Sequence, residues 1–282
     1  MAGFSPAARA DECANVLIVL DRSSSMDRLL VGDERSRWEV AIEAIGNLLD
    51  GYSNNVKFGL ALFPGGTATS CEVACTAGFV AVDIASGSAS TIEDTLSTAA
   101  RCQGTPIGVT MEELVDMPDL GEAGKRNYVL LVTDGSETCP GDAAAVAAEL
   151  FAQEPEVRTF VIGFAEDINA DELDAIASAG HTIGAFTASD EGTLEAAFDQ
   201  ILGAVYEDPE FGCIGGGIGD GGLPGFDSGV PDVDGGGDAG AVVKTEDGGG
   251  CGCRSAGRSR GALGLSVLAV ALGVLLRRRW IP

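Results

Sequence analysis

A short run of oxygen-bearing side chains follows the first strongly apolar segment of the chain. Residues 16–20 read VLIVL, and directly after them come Asp21, Ser23, Ser24 and Ser25. Asp and Ser are common helix caps, because their side chains accept hydrogen bonds from the free N–H groups of a first helical turn. Oxygen atoms are also the ligands that hard divalent cations prefer. A cap needs one such residue, so four of them favour a metal site at the end of a buried strand.

Two later loops carry oxygen side chains of the same kind. CQGTPIG (102–108) contains Thr105, and LLVTDGSET (130–138) ends an apolar run with Asp134. In open α/β sheets, ligands bind outside the carboxyl ends of the strands, where the strand order reverses. If the strands that precede Asp21 and Asp134 are neighbours at that point, the two carboxylates face each other.

The segments that must position these residues alternate between two periodicities. Apolar runs bounded by turn residues predict strands at 16–20, 56–64, 79–85, 128–132, 158–164 and 185–187. Apolar residues at helical spacing predict helices at 37–52, 91–101, 109–117, 142–153, 171–180 and 193–206. Strands that alternate with amphipathic helices predict an α/β fold with a doubly wound, mainly parallel central sheet flanked by helices.

The three loops resemble a known metal site when they are taken as a set. DRSSSM (21–26) is similar to the DxSxS sequence of von Willebrand factor type A domains, and Thr105 and Asp134 stand in the GTP and TDG settings of that family. The resemblance implies a Rossmann-like fold with a metal-ion-dependent adhesion site. The metal shell that it implies consists of Asp21, Ser23, Ser25, Thr105 and Asp134.

The shell implied by this resemblance suits a cation that keeps one position open. Mg²⁺ takes six oxygen ligands at about 2.0–2.1 Å and retains water readily. Three neutral hydroxyls and two carboxylates leave the cation short of negative charge, so a carboxylate from outside becomes a strong ligand. We therefore expect Mg²⁺, with Mn²⁺ or Ca²⁺ as alternatives, and a protein partner that presents an Asp or Glu side chain.

Other interpretations of the same residues compete with adhesion. A serine hydrolase needs a base, but His181, the single histidine, sits in SAGHTIG after a predicted helix, and no predicted strand leads into a GxSxG nucleophile elbow. An aspartyl phosphotransferase would have an Asp where Ser23 stands. A structural or regulatory envelope protein with no metal-dependent ligand is the main alternative. We expect no enzymatic activity and no small-molecule substrate.

Negative charge is concentrated in the part of the chain that carries the predicted fold. The formal net charge is −26, and residues 1–213 hold 36 of the 43 acidic residues against 10 basic ones. Such a body repels phosphate backbones, so we expect no nucleic-acid partner. It is compatible with divalent cations, although a surface charged for solubility explains most of the acids equally well.

Six of the eight cysteines lie in this same part of the chain, which favours disulfides and an oxidising compartment over a zinc site. They are Cys13, Cys71, Cys75, Cys102, Cys139 and Cys213. The sequence leaves their pairing open. We prefer a Cys13–Cys213 bridge that closes the two ends of the domain, and bridges at Cys102 or Cys139 would stiffen the predicted metal loops.

The composition divides the chain into four segments. Residues 1–13 are interpreted as the remnant of a signal peptide, because Ala8-Arg9-Ala10 is typical of a signal-peptidase site. Residues 14–213 form the predicted von Willebrand domain. Residues 214–250, with 15 glycines among 37 positions, are predicted to be a flexible linker. Residues 251–282 form a basic and apolar tail.

The tail combines cysteines, a short apolar helix and terminal arginines. A helix over residues 261–276 would span about 24 Å, short of a hydrocarbon core of about 30 Å, and the flanking arginines can make up the difference. This arrangement resembles the myxobacterial C-terminal sorting signal, which implies that Cys251 or Cys253 is a processing or lipid-attachment position. The chain is thus predicted to be an exported adhesion module anchored at the cell surface or outer membrane; a single-span inner-membrane anchor, with the domain outside the cytoplasm, is the alternative.

Overall fold

Strands and helices alternate along the part of the chain that the computed structural model describes, which is residues 14–122, 124–165 and 168–207. The strands are β1 (Ala14–Asp21), β2 (Lys57–Phe63), β3 (Gly66–Thr67), β4 (Ser70–Cys71), β5 (Phe79–Ala85), β6 (Arg126–Thr133), β7 (Val157–Phe164) and β8 (Phe186–Ala188). The helices are α1 (Arg37–Tyr52), α2 (Ala89–Thr98), α3 (Ile107–Glu112), α4 (Ala143–Phe151), α5 (Ala170–Ala179) and α6 (Glu191–Glu207). The predicted α/β fold is confirmed.

β1 lies in the middle of a six-stranded sheet with the strand order β5–β2–β1–β6–β7–β8. It pairs in parallel with β2 on one side and with β6 on the other. β5, at one edge, pairs antiparallel with β2. Because the chain extends the sheet first on one side of β1 and then on the other, the strand order reverses between β1 and β6. The loops that follow these two strands therefore lie side by side at the carboxyl edge, which fulfils the condition under which the sequence places Asp21 and Asp134 opposite each other.

Helices cover both faces of the central strands. Along β1, Val16, Ile18 and Leu20 pack into one apolar core, which also contains residues of α1 and α6. Leu17 and Val19 pack into the other core, with residues of α3, α4 and α5. A parallel strand that is buried on both faces needs an unbroken apolar run, which explains why VLIVL shows no alternation.

A capping box fixes the start of α1 beside the first loop. The Ser36 hydroxyl accepts a hydrogen bond from the Glu39 backbone N–H, and the Glu39 carboxylate accepts one from the Ser36 N–H. This reciprocal pair satisfies backbone donors that the first helical turn leaves free. Arg37 is consequently the first residue of the helix, and the predicted bounds 37–52 are confirmed.

Several predicted features lie outside the described residues. They are the N-terminal segment 1–13, Cys13, Cys213, the linker 214–250 and the tail 251–282 with Cys251 and Cys253. Within the described ranges, all of which belong to one compact unit, no helix combines the length and the apolar character needed to span a membrane. The boundaries of the four segments and the role of the tail stay predictions.

Candidate metal centre

Asp21 ends β1 and is completely buried. One of its carboxylate oxygens accepts a hydrogen bond from the backbone N–H of Ser23 at 2.6 Å. The other accepts one from the hydroxyl of Thr133, the last residue of β6, at 2.7 Å. The carboxylate is therefore held in one orientation between the first loop and the neighbouring strand.

Ser23, Ser25 and Asp134 form a hydrogen-bonded row at the carboxyl edge of the sheet. The Ser23 and Ser25 hydroxyl oxygens are 2.7 Å apart, and the Ser25 hydroxyl donates to Asp134 Oδ1 at 2.7 Å. A 3-10 turn over Ser24–Asp27 follows Ser23 and carries Ser25, while the side chain of Ser24 is exposed. The structure thus brings three of the predicted ligands into direct contact.

Hydrogen bonds of the Thr105 backbone hold this residue against the loop that follows Asp134. Its N–H donates to the Thr138 hydroxyl at 2.7 Å, and its carbonyl accepts a hydrogen bond from the Thr138 N–H at 3.2 Å. Gly108 and Gly141 approach so closely that a Cβ added to Gly108 would lie 2.7 Å from Gly141 Cα. The loop of Thr105 and the loop that follows Asp134 are therefore tied together, although the hydroxyl row does not extend through the Thr105 side chain.

The oxygen atoms of the row lie close enough together to be ligands of one small cation. Around an octahedral Mg²⁺ with bonds of about 2.0–2.1 Å, neighbouring ligand oxygens lie about 2.9 Å apart, and the two observed separations are 2.7 Å. Among the residues that the structure describes, no group of three or more His, Cys, Asp or Glu side chains has metal-binding geometry, so a centre here depends on its hydroxyls. The full ligand set of Asp21, Ser23, Ser25, Thr105 and Asp134 stays a prediction.

Burial and a neighbouring charge raise the pKa of Asp21, whereas a bound cation would lower it. Burial, and after it the charge of Asp134, raises the pKa of Asp21 to about 7, while hydrogen bonds from Thr133 and Ser23 act in the opposite direction. Two buried carboxylates that repel each other disfavour the ionised form. A divalent cation favours that form and displaces the proton, so the arrangement fits a cation site.

Arg37, which sequence reasoning missed, contacts a predicted ligand. Its side chain is 9% exposed, and its Nη1 donates to Asp134 Oδ2 at 2.8 Å. The Asp134 carboxylate therefore uses one oxygen for Ser25 and the other for Arg37. The available sequence signal was the Ser36–Glu39 capping box, which places Arg37 in the first turn of a helix that begins near this edge of the sheet.

Arg22 is a second residue that the sequence did not single out. It stands between Asp21 and Ser23, is completely buried, and donates hydrogen bonds of 2.6–3.3 Å to backbone carbonyls of the loop between β2 and β5, residues 64–78, which we call the 64–78 loop. The accepting residues are Pro64, Gly65, Thr67, Ala68 and Ser70. Arg22 thereby anchors the 64–78 loop to the first metal loop.

Two disulfides attach the same loop to the other two metal loops. Cys71 is bonded to Cys102, just before Thr105, and Cys75 is bonded to Cys139, just after Asp134. The prediction of disulfides in the domain is confirmed for these four cysteines, and the structure supplies the pairing that the sequence left open. The 64–78 loop is consequently linked to all three predicted ligand loops.

His181 lies far from the serines of the first loop. It follows the end of α5, and its ring stacks on Phe151 with 3.7 Å between the ring centroids. Gly180, which precedes His181, accepts a hydrogen bond from the N–H of Thr159 near the start of β7, so α5 ends at the edge of the sheet opposite to the carboxyl edge. His181 is therefore not placed to act as a base for Ser23.

Comparisons with known proteins agree with the observed fold. The sequence profile of the von Willebrand factor type A domain matches residues 15–200. The uncharacterized protein YwmD of Bacillus subtilis (strain 168) is 26% identical over 198 residues, which cover 66% of this chain and 86% of that protein.

Two solved structures resemble the domain at low sequence identity. Proximal thread matrix protein 1 from the mussel byssus, with a zinc-occupied MIDAS motif, is 17% identical, with a TM-score of 0.52, and the match covers 69% of this chain and 46% of that one. The pilus adhesin SpaC from Lactobacillus rhamnosus GG is 15% identical, with a TM-score of 0.52 and coverages of 69% and 30%. Each match spans less than half of the neighbour, and at these identities it shows the fold alone.

Proposed function

The chain belongs to the von Willebrand factor type A domain family, and on that premise we propose that its domain is a divalent-metal-dependent protein-binding module. The observation that carries the proposal is the row formed by Ser23, Ser25 and Asp134 beside the buried carboxylate of Asp21. Neutral hydroxyls and carboxylates from separate loops converge there, and their spacing suits Mg²⁺, with Mn²⁺ or Ca²⁺ as alternatives.

Each residue of the centre has a distinct task in this proposal. Ser23, Ser25 and Thr105 supply neutral oxygen atoms, and Asp21 and Asp134 supply the negative charge. The Thr133 hydroxyl and the Ser23 N–H keep the Asp21 carboxylate oriented. A bound Mg²⁺ supplies a Lewis-acidic position that accepts an oxygen from a partner.

The partner that fits this chemistry is a protein with an accessible Asp or Glu side chain. Two neighbours in fold are named a thread matrix protein and a pilus adhesin, which supports an interaction module rather than an enzyme. The distance between His181 and the first loop argues against a serine hydrolase. We therefore propose binding without catalysis.

We further propose that the protein is exported and anchored at the cell surface through residues 251–282, with Cys251 or Cys253 as the processing or lipid-attachment position. Two disulfides in the domain support an oxidising compartment. The anchor rests on the tail sequence, and an inner-membrane span with the domain outside the cytoplasm remains the alternative.

Two adjacent serines allow a direct test of the proposal. Ser25 belongs to the hydroxyl row, whereas Ser24, next to it in the same turn, is exposed. We expect Ser25→Ala to weaken Mn²⁺ binding, measured by the EPR signal of the free ion, at least about tenfold. Capture of partner proteins from surface extracts is expected to need Mg²⁺ and to fall with Ser25→Ala. Ser24→Ala is the matched control and should behave as wild type.

Two outcomes would contradict the proposal in different ways. Equal Mn²⁺ affinity in Ser25→Ala and wild type would contradict the proposed metal centre. Cation binding at the centre, together with capture that is indifferent to both EDTA and Ser25→Ala, would keep the metal but favour a structural or regulatory envelope protein.

A further inference from the structure

The positively charged side chain of Arg37 contacts a predicted ligand of the metal centre. Arg37 comes from α1, and its Nη1 is 2.8 Å from Asp134 Oδ2. The other oxygen of the same carboxylate accepts the Ser25 hydroxyl at 2.7 Å. The guanidinium is therefore one carboxylate away from the hydroxyl row, and both partners are buried, with side-chain exposures of 9% and 0%.

We propose that Arg37 is a resident counter-charge that weakens cation binding at this centre and strengthens the capture of a partner carboxylate. The inference rests on the proposed function and assigns a charge to its site. Arg37 cannot be a ligand, because a guanidinium is protonated under all ordinary conditions and has no acceptor to offer a metal. It is a positioning residue that acts through Asp134 and through its own charge.

The formal charges explain why the two effects have opposite signs. Asp21 and Asp134 contribute two negative charges when ionised, and Arg37 contributes one positive charge. A divalent cation leaves this group with one net positive charge, which a partner carboxylate neutralises. In the absence of Arg37 the cation would meet both negative charges in full, and the loaded centre would be neutral. A further carboxylate would then bring an uncompensated charge into a poorly solvated site.

Arg35, two residues earlier, provides a matched control. It contacts Asp33, Glu43 and Glu191 at 2.6–2.8 Å, none of which is a predicted ligand, and its side chain is 35% exposed. Arg35→Met removes the same formal charge from the same end of α1 without touching Asp134. Any effect that depends only on the overall charge of the domain will appear in both variants.

The experiment compares Arg37→Met with Arg35→Met in the full chain after metal removal with EDTA. Mn²⁺ binding, followed by the EPR signal of the free ion, is expected to be about tenfold tighter in Arg37→Met and unchanged in Arg35→Met. Acetate is then titrated into the Mn²⁺-loaded proteins, and water-proton relaxation reports the displacement of bound water. Acetate is expected to bind about tenfold more weakly to Arg37→Met.

Opposite changes in the two affinities cannot come from a simple loss of structure, which would weaken both. Mn²⁺ binding that is unchanged or weaker in a folded Arg37→Met overturns the inference, and so does an unchanged acetate affinity. If Arg37→Met does not fold, Arg37→Gln, which keeps a hydrogen-bond donor without the charge, must show the same two changes. A wild-type chain that binds no Mn²⁺ would end the proposed function as well, whereas wild-type binding with no response to Arg37 ends this inference alone.

Discussion

Two buried arginines stand next to the predicted metal centre, and their partners are of opposite kinds. The Arg22 guanidinium donates its hydrogen bonds to neutral backbone carbonyls of the 64–78 loop. Arg37 donates to the carboxylate of Asp134. Carbonyl partners fix the path of a loop, whereas a carboxylate partner changes the charge that a ligand carries. Arg22 thus fixes a loop beside the site, whereas Arg37 changes the charge at one of its predicted ligands.

The difference has a consequence for how each arginine depends on the cation. A cation at the centre can replace Arg37 in one respect, because it compensates the buried charge of Asp134 directly. It cannot take over the task of Arg22, because the carbonyls of the 64–78 loop belong to another segment. For the stability of the fold, Arg22 should therefore matter with or without metal and Arg37 mainly without it, whereas the effect of Arg37 on carboxylate capture appears only in the metal-loaded protein.

The strongest test of this contrast is Arg22→Met. We expect it to lower the free energy of unfolding by about 3–5 kcal/mol, because buried carbonyls lose their donor and each one left unsatisfied is costly. Urea unfolding in EDTA and in Mg²⁺ measures the loss, and Mg²⁺ should restore little of it. Arg35→Met, whose ion pairs are partly exposed, should lose much less than Arg22→Met. Full recovery of Arg22→Met in Mg²⁺ would break the distinction between the two arginines.

Removal of one disulfide sharpens the role of the 64–78 loop. The double variant Cys75→Ser, Cys139→Ser should lower the free energy of unfolding by about 2–4 kcal/mol. It should also weaken Mn²⁺ binding, because the segment after Asp134 is no longer tied to the loop that Arg22 holds. Isothermal titration with Mn²⁺ and urea unfolding give the two quantities. Unaltered Mn²⁺ affinity would mean that Arg22 and the remaining Cys71–Cys102 bridge are enough to place the ligand loops.

The smallest effect concerns pH and Asp21, which lies next to Arg22 in the chain. Its pKa is about 7 in the folded protein, above the ordinary value of 3.8. The stabilisation due to its proton is therefore complete below about pH 4 and is lost as the pH rises through about 7. Since a cation must displace that proton, Mn²⁺ affinity should fall by up to about tenfold per pH unit below 7.

Mn²⁺ titrations at pH 5.5, 6.5 and 7.5 measure this dependence. Arg35→Met is the control, because it alters charge near α1 without contact to Asp21, and it should keep the wild-type slope. An affinity that does not vary across this pH range would show that Asp21 is already ionised in the metal-free protein or that the cation does not displace its proton.

The parts of the fold that the sequence predicts are those with a local signal. The observed α1 has the predicted bounds because the Ser36–Glu39 capping box and the helical spacing of its apolar residues mark the same segment. The buried runs of β1 and β6 predicted two strands covered on both faces. Their parallel pairing then brings Asp21 and Asp134 to one edge of the sheet.

The missed features depend on contacts between distant segments. Arg22 binds backbone carbonyls, which every residue carries, so no residue type in the 64–78 loop indicates this contact. Arg37 and Asp134 are 97 positions apart, and nothing in the local pattern connects them. The four bridged cysteines allow three pairings that the sequence cannot rank. The short strands β3 and β4 are two residues each, too few to show an alternating pattern.

The positions of the two bridges on either side of Val73 determine what happens if the 64–78 loop is cut. Val73 lies between Cys71 and Cys75 and is 79% exposed. A protease that cleaves at Val73 creates two fragments, but Cys71–Cys102 still joins them, and Cys75–Cys139 still fastens the new amino end. The nicked protein therefore gains only the mass of one water and keeps its loop in place, and under denaturing conditions the fragments separate only when a reducing agent opens Cys71–Cys102.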